Sequence, residues 1–243
     1  MSRWGKAASL ALCFLAYEPA SAEQFICADV ALVLAIDGSG SVTDTEFQFQ
    51  KSAIAAAFRD DAVKAVLRNA GTVALAAVFW GDGDLPTQNL GWFIIPPGSS
   101  GETFARNLEM TERRVDGDTS IGSGLWSALD MLSDPRLCSR RSLINLSGDG
   151  RETTTPKHRL RATLYQARLR AIQMGVTINA LAIIDDDEEL ASYYARSVVQ
   201  GTGGFTMQVT DQADYALAIR RKLKRELSPQ FVAENLPSRS APH

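Results

Sequence analysis

Residues 30–41 of the chain read VALVLAIDGSGS, an aliphatic run that changes abruptly into small and polar residues. The seven aliphatic residues at 30–36 predict a strand that is buried on both faces. The Asp-Gly-Ser-Gly-Ser stretch that follows has the composition of a turn. Thr43 and Glu46 then form a capping box that opens a helix to about Phe58. A strand, a polar turn and a helix in this order predict an α/β fold whose ligand site lies at the turn.

The alternation of strands and helices continues along the rest of the chain. Further strands are predicted at Val73–Trp80, Leu90–Ile95, Ser142–Leu146, Val176–Ile184 and Phe205–Val209. Further helices are predicted at Ala62–Arg68, Glu102–Arg113, Ser120–Leu132, Pro156–Met174, Glu188–Gln200 and Ala213–Leu227. The second and third strands have no helix between them, which predicts a hairpin and one antiparallel edge strand. We therefore predict a doubly wound, mostly parallel six-stranded sheet with helices on both faces.

Composition and charge exclude several classes of protein. The 243 residues are 45% apolar and 22% charged, which is ordinary for a globular domain. A net charge of −3 gives no basic footprint, so no nucleic-acid partner is expected. Three cysteines are too few for a disulfide scaffold or a four-cysteine zinc site, and two histidines leave little material for histidine-based catalysis. A basic run at 220–225 on the last predicted helix is interpreted as a solvated face.

The N-terminal segment predicts export. Residues 1–22 combine a positively charged start, an apolar run over 7–16 and an Ala-Ser-Ala cleavage site, which together are typical of a secretory signal peptide. A membrane anchor would need about 20 apolar residues. A lipid anchor at Cys13 would need a small residue immediately before it, where a leucine stands. We expect a periplasmic or secreted protein with one domain at 23–227, no stable membrane span and a disordered Pro/Ser-rich tail at 228–243.

Three polar clusters lie after predicted strands or before predicted helices, where doubly wound sheets bind ligands. The first holds Asp37, Ser39 and Ser41, the second holds Thr119, and the third holds Asp149. Two carboxylates and three hydroxyls are hard oxygen donors, which suit Mg²⁺, Mn²⁺ or Ca²⁺ and not zinc or copper. The carboxylates neutralise a divalent ion, and the uncharged hydroxyls leave it electrophilic. We expect one open coordination position, which an acidic side chain of a partner would fill.

These clusters resemble the metal-ion-dependent adhesion site of von Willebrand factor A domains, which has an Asp-x-Ser-x-Ser loop, a Thr on a second loop and an Asp on a third. All five positions are matched, by Asp37, Ser39, Ser41, Thr119 and Asp149. The chain is also similar to a family of exported bacterial A-domain-like proteins of uncharacterised function, through its SGSV, TSIG and SGDG blocks and a tyrosine pair at 193–194. The resemblance extends over about residues 28–227. It implies the strand order 3-2-1-4-5-6 and Mg²⁺-dependent binding of an acidic protein ligand without catalysis.

The strand order that the resemblance implies places Cys27 and Cys138 close together. Cys27 lies 10 residues before Asp37, and Cys138 lies 11 residues before Asp149. If the first and fourth strands are parallel neighbours, both cysteines reach the edge opposite the metal site, offset by about one residue or about 3 Å. Export would supply the oxidising setting, so we expect a disulfide between them. Two buried free thiols are the alternative.

Asp82 and Asp84 follow the second strand and are expected at the same edge as the metal site. They could form a rim that shapes the choice of partner or holds a second cation. The alternative is an ordinary acidic loop without a specific role.

Three functions are compatible with these residues. The first, which we favour, is an exported, monomeric binding domain that is not an enzyme and that engages a protein partner through the cation. The second is a scaffold whose metal only ties the three loops together. The third is a metal-dependent phosphohydrolase with Asp37 as nucleophile, which is disfavoured because Ser39 stands where a general acid would act. The chain lacks the Gly-x-Ser-x-Gly pattern of serine hydrolases and the Gly-x-Gly-x-x-Gly pattern of dinucleotide sites.

Overall fold

A computed structural model describes residues 25–153 and 162–228. Its strands are Ile26–Asp37 (β1), Val73–Trp80 (β2), Gln88–Ile95 (β3), Leu137–Gly148 (β4), Thr177–Ile183 (β5) and Thr206–Val209 (β6). Its helices are Asp44–Arg59 (α1), Asp61–Asn69 (α2), Glu102–Met110 (α3), Ile121–Leu132 (α4), Leu164–Gln173 (α5), Leu190–Ser197 (α6) and Gln212–Leu227 (α7). The predicted signal peptide, the predicted tail beyond Ser228 and the first residues of the predicted helix 156–174 lie outside the described residues.

The strands form one sheet in the order β3-β2-β1-β4-β5-β6. β3 runs antiparallel to β2, and the other neighbours are parallel. Successive side chains of β1 point to opposite faces, so Leu32 and Leu34 pack on one helical layer and Ala31 and Val33 pack on the other. The first layer contains α1, α2, α3 and α7, and the second contains α4, α5 and α6. The predicted α/β fold, including its antiparallel edge strand, is confirmed.

The pairing of β1 with β4 fixes the two ends of the central strands. Each residue of β1 lies opposite the residue of β4 whose sequence number is higher by 111. Cys27 therefore lies directly opposite Cys138, and a disulfide joins them across a Cα–Cα distance of 4.6 Å. The predicted pairing is confirmed, but the predicted offset between the cysteines is wrong. The offset falls at the other end of the strands, where Asp149 lies one residue beyond the level of Asp37.

The fifth helix, α5, begins at Leu164 within the predicted span 156–174, whose first residues lie outside the described part of the chain. Thr163 has extended backbone angles (φ −73°, ψ 157°), and its hydroxyl accepts a hydrogen bond from the N–H of Gln166. The Gln166 side chain accepts from the N–H of Thr163 in return, which completes a capping box. This reciprocal cap sets the start of α5, and amphipathic spacing alone did not reveal it.

The basic run on α7 is not uniformly solvated, so that interpretation is corrected for Lys222. Lys222 is fully buried and pairs with Glu226 one turn later, at 2.8 Å between Nζ and Oε1. Burial lowers the pKa of the Lys222 ammonium, and the Glu226 carboxylate opposes this shift. Lys224 and Arg225 on the same helix are exposed. The helix therefore presents a charged pair to the sheet and basic side chains to solvent.

Candidate metal centre

Four of the five predicted ligands form one hydrogen-bonded chain at the carboxyl edge of β1 and β4. Asp37 is fully buried, and its Oδ1 accepts from the backbone N–H of Ser39 (2.8 Å) and from the Ser39 hydroxyl (2.6 Å). The Ser39 and Ser41 hydroxyl oxygens are 3.2 Å apart. The Ser41 hydroxyl donates to Oδ1 of Asp149 at 2.8 Å. The fold thus joins the first and third polar clusters by direct side-chain contact.

The fifth predicted ligand, Thr119, reaches the same edge on a separate loop. A Cβ built on Gly150 would lie 3.2 Å from the Thr119 hydroxyl oxygen, so this hydroxyl lies beside the residue that follows Asp149. The two loops are also paired through Thr153, whose N–H donates to the Thr119 carbonyl (2.8 Å). The Thr119 N–H donates in return to the Thr153 hydroxyl (3.2 Å). Thr119 is therefore held next to the hydrogen-bonded chain.

Two carboxylates lie at this edge, Asp37 buried and Asp149 half-buried, and the charge of Asp149 disfavours the ionised form of Asp37. Burial raises the pKa of Asp37 to about 7, and the charge of Asp149 adds to this shift. Burial also raises the pKa of Asp149, with smaller contributions from the charges of Glu46 and Asp185. The negative potential at this edge favours a bound cation, which would let both carboxylates stay ionised.

Arg113, which the sequence analysis did not select as a site residue, holds the first loop in place. Its guanidinium Nη2 donates to the carbonyl oxygens of Gly38 (3.0 Å) and Ser39 (2.9 Å). Its Nη1 donates to the carbonyl oxygen of Val42 (2.8 Å). The predicted third helix includes Arg113, but α3 ends at Met110, so this side chain extends from a loop toward the turn. The carbonyl groups of the turn are thereby satisfied without any regular secondary structure.

Glu152 is a second residue that the sequence analysis missed. Its Oε2 accepts a hydrogen bond from the N–H of Gly122 in the first turn of α4 (3.0 Å). Burial raises the pKa of Glu152 to about 7, while its hydrogen bonds from backbone N–H groups of α4 oppose the shift. Together with its neighbour Thr153, it fastens the loop that carries Asp149 to the loop that carries Thr119. No motif marks this role in the sequence, because the contact joins two loops that are distant in the chain.

Gly148 lies at a crowded point behind the site, where β4 ends. A Cβ on this residue would lie 2.7 Å from Oδ2 of Asp37, 2.7 Å from Oη of Tyr194 and 3.3 Å from the Trp80 ring. Tyr194 is fully buried, and its hydroxyl donates to the carbonyl oxygen of Gly150 (2.8 Å). Tyr194 therefore supports the third loop, and only glycine fits at position 148 without displacing Asp37 or Tyr194.

We expect Gly148→Ala to lower the free energy of unfolding by about 1–3 kcal/mol, because the added methyl overpacks the space behind Asp37. Gly91→Ala is the matched control, since Gly91 also lies in a strand but a Cβ there meets nothing within 4 Å. The control should change stability by no more than about 0.5 kcal/mol. Urea unfolding in EDTA measures both variants without any contribution from metal. Equal stability of the two variants would contradict the crowding argument.

The predicted rim residues lie next to the second loop. The N–H of Asp82 donates to the carbonyl oxygen of Asp116 (2.8 Å), and the N–H of Asp84 donates to Oδ1 of Asp82 (3.0 Å). A Cβ on Gly117 would lie 2.8 Å from the Cβ of Asp82. The loop after β2 thus packs against the loop that carries Thr119, and a role for its acids in partner choice stays a prediction.

The donor set fits a hard divalent cation. Oδ2 of Asp37 is buried and has no hydrogen-bond partner among the described residues. A buried carboxylate oxygen without a donor is costly, and a cation would satisfy it. Within residues 25–153 and 162–228, no group of three or more His, Cys, Asp or Glu side chains could hold a metal ion. A site here would therefore depend on serine and threonine hydroxyls as much as on its two carboxylates.

The sequence matches one protein family. The family described as "Protein of unknown function (DUF1194)" matches residues 27–231. No curated protein matches the sequence. In the described part of the chain, every helix is too short or too polar to cross a membrane.

Several solved structures share the fold at low sequence identity. The pilus adhesin SpaC from Lactobacillus rhamnosus GG is 15% identical with a TM-score of 0.58, covering 82% of this chain and 31% of the adhesin. Proximal thread matrix protein 1 from the mussel byssus is 16% identical with a TM-score of 0.55, covering 84% of this chain and 47% of that protein. One structure of the mussel protein has a zinc-occupied MIDAS motif, the metal-ion-dependent adhesion site. The chain spans less than half the length of each of these two proteins, and the likeness shows a von Willebrand factor A-like fold.

Proposed function

The chain belongs to the family described as "Protein of unknown function (DUF1194)", and from the geometry of its site we propose that it is a binding domain that engages a protein partner through a divalent cation. The ion would be held by Asp37, Ser39, Ser41, Thr119 and Asp149. One observation carries the proposal: a hydrogen-bonded chain from Asp37 to Asp149 contains a buried carboxylate oxygen that has no partner among the described residues.

The carboxylates and the hydroxyls of the site contribute to ion binding in different ways. Asp37 and Asp149 balance the charge of a divalent ion, and the hydroxyls of Ser39, Ser41 and Thr119 add coordination without adding charge. Mg²⁺ is the ion that we propose, and Mn²⁺ or Ca²⁺ could replace it because all three prefer oxygen ligands. When bound, the ion supplies an electrophilic position for an oxygen ligand. An acidic side chain of the partner supplies that oxygen.

Protein binding without catalysis is also supported by the proteins that share the fold, which include an adhesin, a minor pilin and a matrix protein. The phosphohydrolase alternative gains no support from the site. The Ser39 hydroxyl donates a hydrogen bond to Asp37, and a serine hydroxyl is not a general acid that could protonate a leaving group. We therefore keep the purely structural metal as the one alternative that the experiments must separate.

We further propose that the protein is exported and acts as a monomer in the periplasm or outside the cell. The disulfide between Cys27 and Cys138 is consistent with an oxidising compartment. Sequencing the N-terminus of the protein isolated from the extracytoplasmic fraction tests this part. A mature chain that starts at Glu23 is expected, and a cytoplasmic protein that keeps residues 1–22 would contradict it.

We expect Mg²⁺ in excess over its dissociation constant to stabilise the protein after treatment with EDTA. Saturation at about 100 times the dissociation constant adds about 2.7 kcal/mol, which corresponds to a rise in Tm of roughly 5–10 °C for a domain of this size. Asp37→Asn should abolish the rise. Asp61→Asn, an exposed position on α2, is the matched control and should retain it. A thermal scan that shows no Mg²⁺ effect, or an equal effect in Asp37→Asn, would contradict the site.

A second experiment separates a partner-binding ion from a structural one. Partner proteins would be captured on the immobilised protein with Mg²⁺, with EDTA, and with Mg²⁺ plus a short glutamate-containing peptide as competitor. The proposal predicts capture only with Mg²⁺, its loss in Asp37→Asn and competition by the acidic peptide. Mg²⁺ stabilisation together with capture that neither EDTA nor the peptide affects would assign the ion a purely structural role.

A further inference from the structure

The loop after β1, residues 38–43, carries two of the proposed ligands without forming a helix or a strand. Ser39 and Ser41 lie in it, and the N–H of Gly40 between them donates to the carbonyl oxygen of Gly117 (2.6 Å). The carbonyl groups of such a loop have no regular partners, so their donors must come from other parts of the chain. The positions of the two serine hydroxyls therefore depend on what bonds these carbonyl groups.

One side chain supplies these donors from the loop at 111–120, which also carries Thr119. Three carbonyl oxygens of the loop after β1 accept from the Arg113 guanidinium, those of Gly38, Ser39 and Val42. Its Nε donates to the carbonyl oxygen of Val115 in its own loop (3.0 Å). A guanidinium is planar and presents its five N–H groups in a fixed fork, so these bonds set direction as well as distance. Arg113 thus links the loop of the two serines to the loop of Thr119.

The charge of Arg113 is balanced by its surroundings. Its side chain is 15% exposed, and its guanidinium lies 2.9 Å from Oδ1 of Asp44 and 3.7 Å from Oδ1 of Asp116. The Phe47 ring centroid lies 5.4 Å from the guanidinium carbon. A guanidinium that is paired in this way opposes a nearby cation less than an unpaired one would. Arg113 can therefore order the loop without working against ion binding.

The two loops that Arg113 links are also in close contact. A Cβ on Gly38 would lie 2.5 Å from a methyl carbon of Val115, and a Cβ on Gly40 would lie 3.2 Å from the carbonyl oxygen of Gly117. The loops can approach this closely because both positions lack a side chain. The hydrogen bonds of Arg113 cross this contact, so its loss would remove polar links that packing alone does not replace.

We propose that Arg113 is a positioning residue of the candidate metal centre, which sets the affinity for the ion by holding the hydroxyls of Ser39 and Ser41 in register with Thr119. This inference rests on the proposed function. A guanidinium has no lone pair to offer, so Arg113 does not ligate the ion itself. Ligands that are already in place lose less conformational freedom when the ion binds, which makes binding tighter.

Matched variants measure this effect on the purified full-length protein by calorimetric titration with Mg²⁺. Arg113→Met should raise the dissociation constant at least about tenfold, as is typical when a residue that orients metal ligands is removed. Arg114→Met is the matched control, since Arg114 is the exposed neighbour in the same loop, and it should change the constant by less than about twofold. If Arg113→Met does not fold, Arg113→Lys takes its place. A single ammonium group cannot reproduce the fork, so the constant should still rise at least about threefold.

A merely structural role gives a different result. Urea unfolding in EDTA is measured for the same variants, because Arg113→Met is also expected to lose stability. A loss of stability with an unchanged Mg²⁺ dissociation constant of the folded protein would overturn the proposal. An equal loss of affinity in Arg114→Met would overturn it as well, because the effect would then not depend on the hydrogen bonds of Arg113.

Amide hydrogen exchange in EDTA tests the ordering of the loop without any ion. The N–H of Gly40 bonds across the two loops, and the N–H of Val42 bonds to the carbonyl oxygen of Ser39 (3.0 Å). Arg113→Met should speed exchange at both amides at least about tenfold, while Arg114→Met should leave them unchanged. Unchanged exchange at both amides in Arg113→Met would overturn the proposal.

The two measurements also separate this proposal from the proposed function. A wild-type protein that binds no Mg²⁺ would remove the metal function, and faster exchange in Arg113→Met would then show only that Arg113 orders the loop. Wild-type protein and Arg113→Met that bind Mg²⁺ equally well would leave the metal function in place and remove the role of Arg113.

Discussion

Glu226→Ala should lower the free energy of unfolding by about 3–5 kcal/mol, because it leaves a buried ammonium group without its counterion. The side chains of Glu226 and Lys222 are both 0% exposed and are 2.8 Å apart. The side-chain N–H groups of Asn145 and Asn179 donate to the two oxygens of Glu226, at 2.6 Å and 3.0 Å. Removing the carboxylate therefore leaves the side-chain N–H groups of Asn145 and Asn179 without this acceptor, and leaves Lys222 with only a long hydrogen bond to the Asn179 carbonyl oxygen (3.4 Å). Urea unfolding followed by circular dichroism measures the loss.

Two further variants distinguish the effect of the unpaired buried charge from a general effect of substitutions in α7. Lys224→Ala removes an exposed basic residue of α7 and should change stability by no more than about 0.5 kcal/mol. The double variant Lys222→Met with Glu226→Gln removes both charges and keeps one carbonyl oxygen for an asparagine. It should recover at least about half of the loss seen in Glu226→Ala. A Glu226→Ala loss below about 1 kcal/mol would show that water reaches the pair.

The same network anchors α7 on the sheet. Arg141 on β4 donates to the backbone carbonyl oxygens of Glu226 (2.8 Å) and Ser228 (3.0 Å), which satisfies the last turn of α7. Glu226 links the helix to β4 and β5 through the two asparagines. Because polar contacts require specific partners, they hold α7 in one position on the sheet. Asp211 and Tyr215 at the other end of the helix are thereby held beside the candidate metal centre.

The strand pattern could be predicted from the sequence because buried parallel strands are short aliphatic runs between turns. β2 was predicted with its observed bounds, and the cores of β1 and β4 were predicted without their polar ends. Residues 137–141 of β4 are charged, polar or half-exposed, so hydrophobicity does not mark them as a strand. They belong to the sheet because β1 pairs with them, and the disulfide lies in this part of the strand.

The predicted ligands were brought together by the fold, but the residues that support them could not be predicted from the sequence. Asp37, Ser39 and Asp149 belong to short local patterns at the ends of strands. Arg113 and Glu152 act through contacts between loops, and a single charged residue in a loop carries no sequence signal for that role.

The buried pair on α7 was missed for a related reason. Lys222 and Glu226 are spaced four residues apart, which is also the spacing of an ordinary solvated ion pair on a helix surface. Only the position of α7 against the polar residues Asn145 and Asn179 shows that this pair faces the sheet. Residue types that are usually exposed become buried when a third element supplies their partners, and sequence periodicity does not contain that information.

Loss of the disulfide is expected to lower the free energy of unfolding by about 4–5 kcal/mol, which is close to the chain-entropy value for a loop of this length. Cys27 and Cys138 are 111 residues apart and are both exposed at the edge of the sheet opposite the candidate metal centre. Replacing both by serine therefore removes the cross-link while disturbing little packing. A fall in Tm of roughly 10 °C corresponds to this loss.

The disulfide is exposed, so chemical reduction of the wild-type protein is a control for this prediction. A reducing agent can reach both sulfur atoms, so dithiothreitol should lower the Tm of the wild-type protein by about as much as the double substitution does. The double variant itself should not respond to dithiothreitol. Mg²⁺ stabilisation should survive in the variant, because the register of β1 and β4 places the bridge and the candidate metal ligands at opposite ends of the same two strands. A loss below about 1 kcal/mol would mean that the unfolded chain is already compact enough for the cross-link to restrict it little. Loss of Mg²⁺ stabilisation in the variant would instead show that the metal centre depends on the cross-linked end of the sheet.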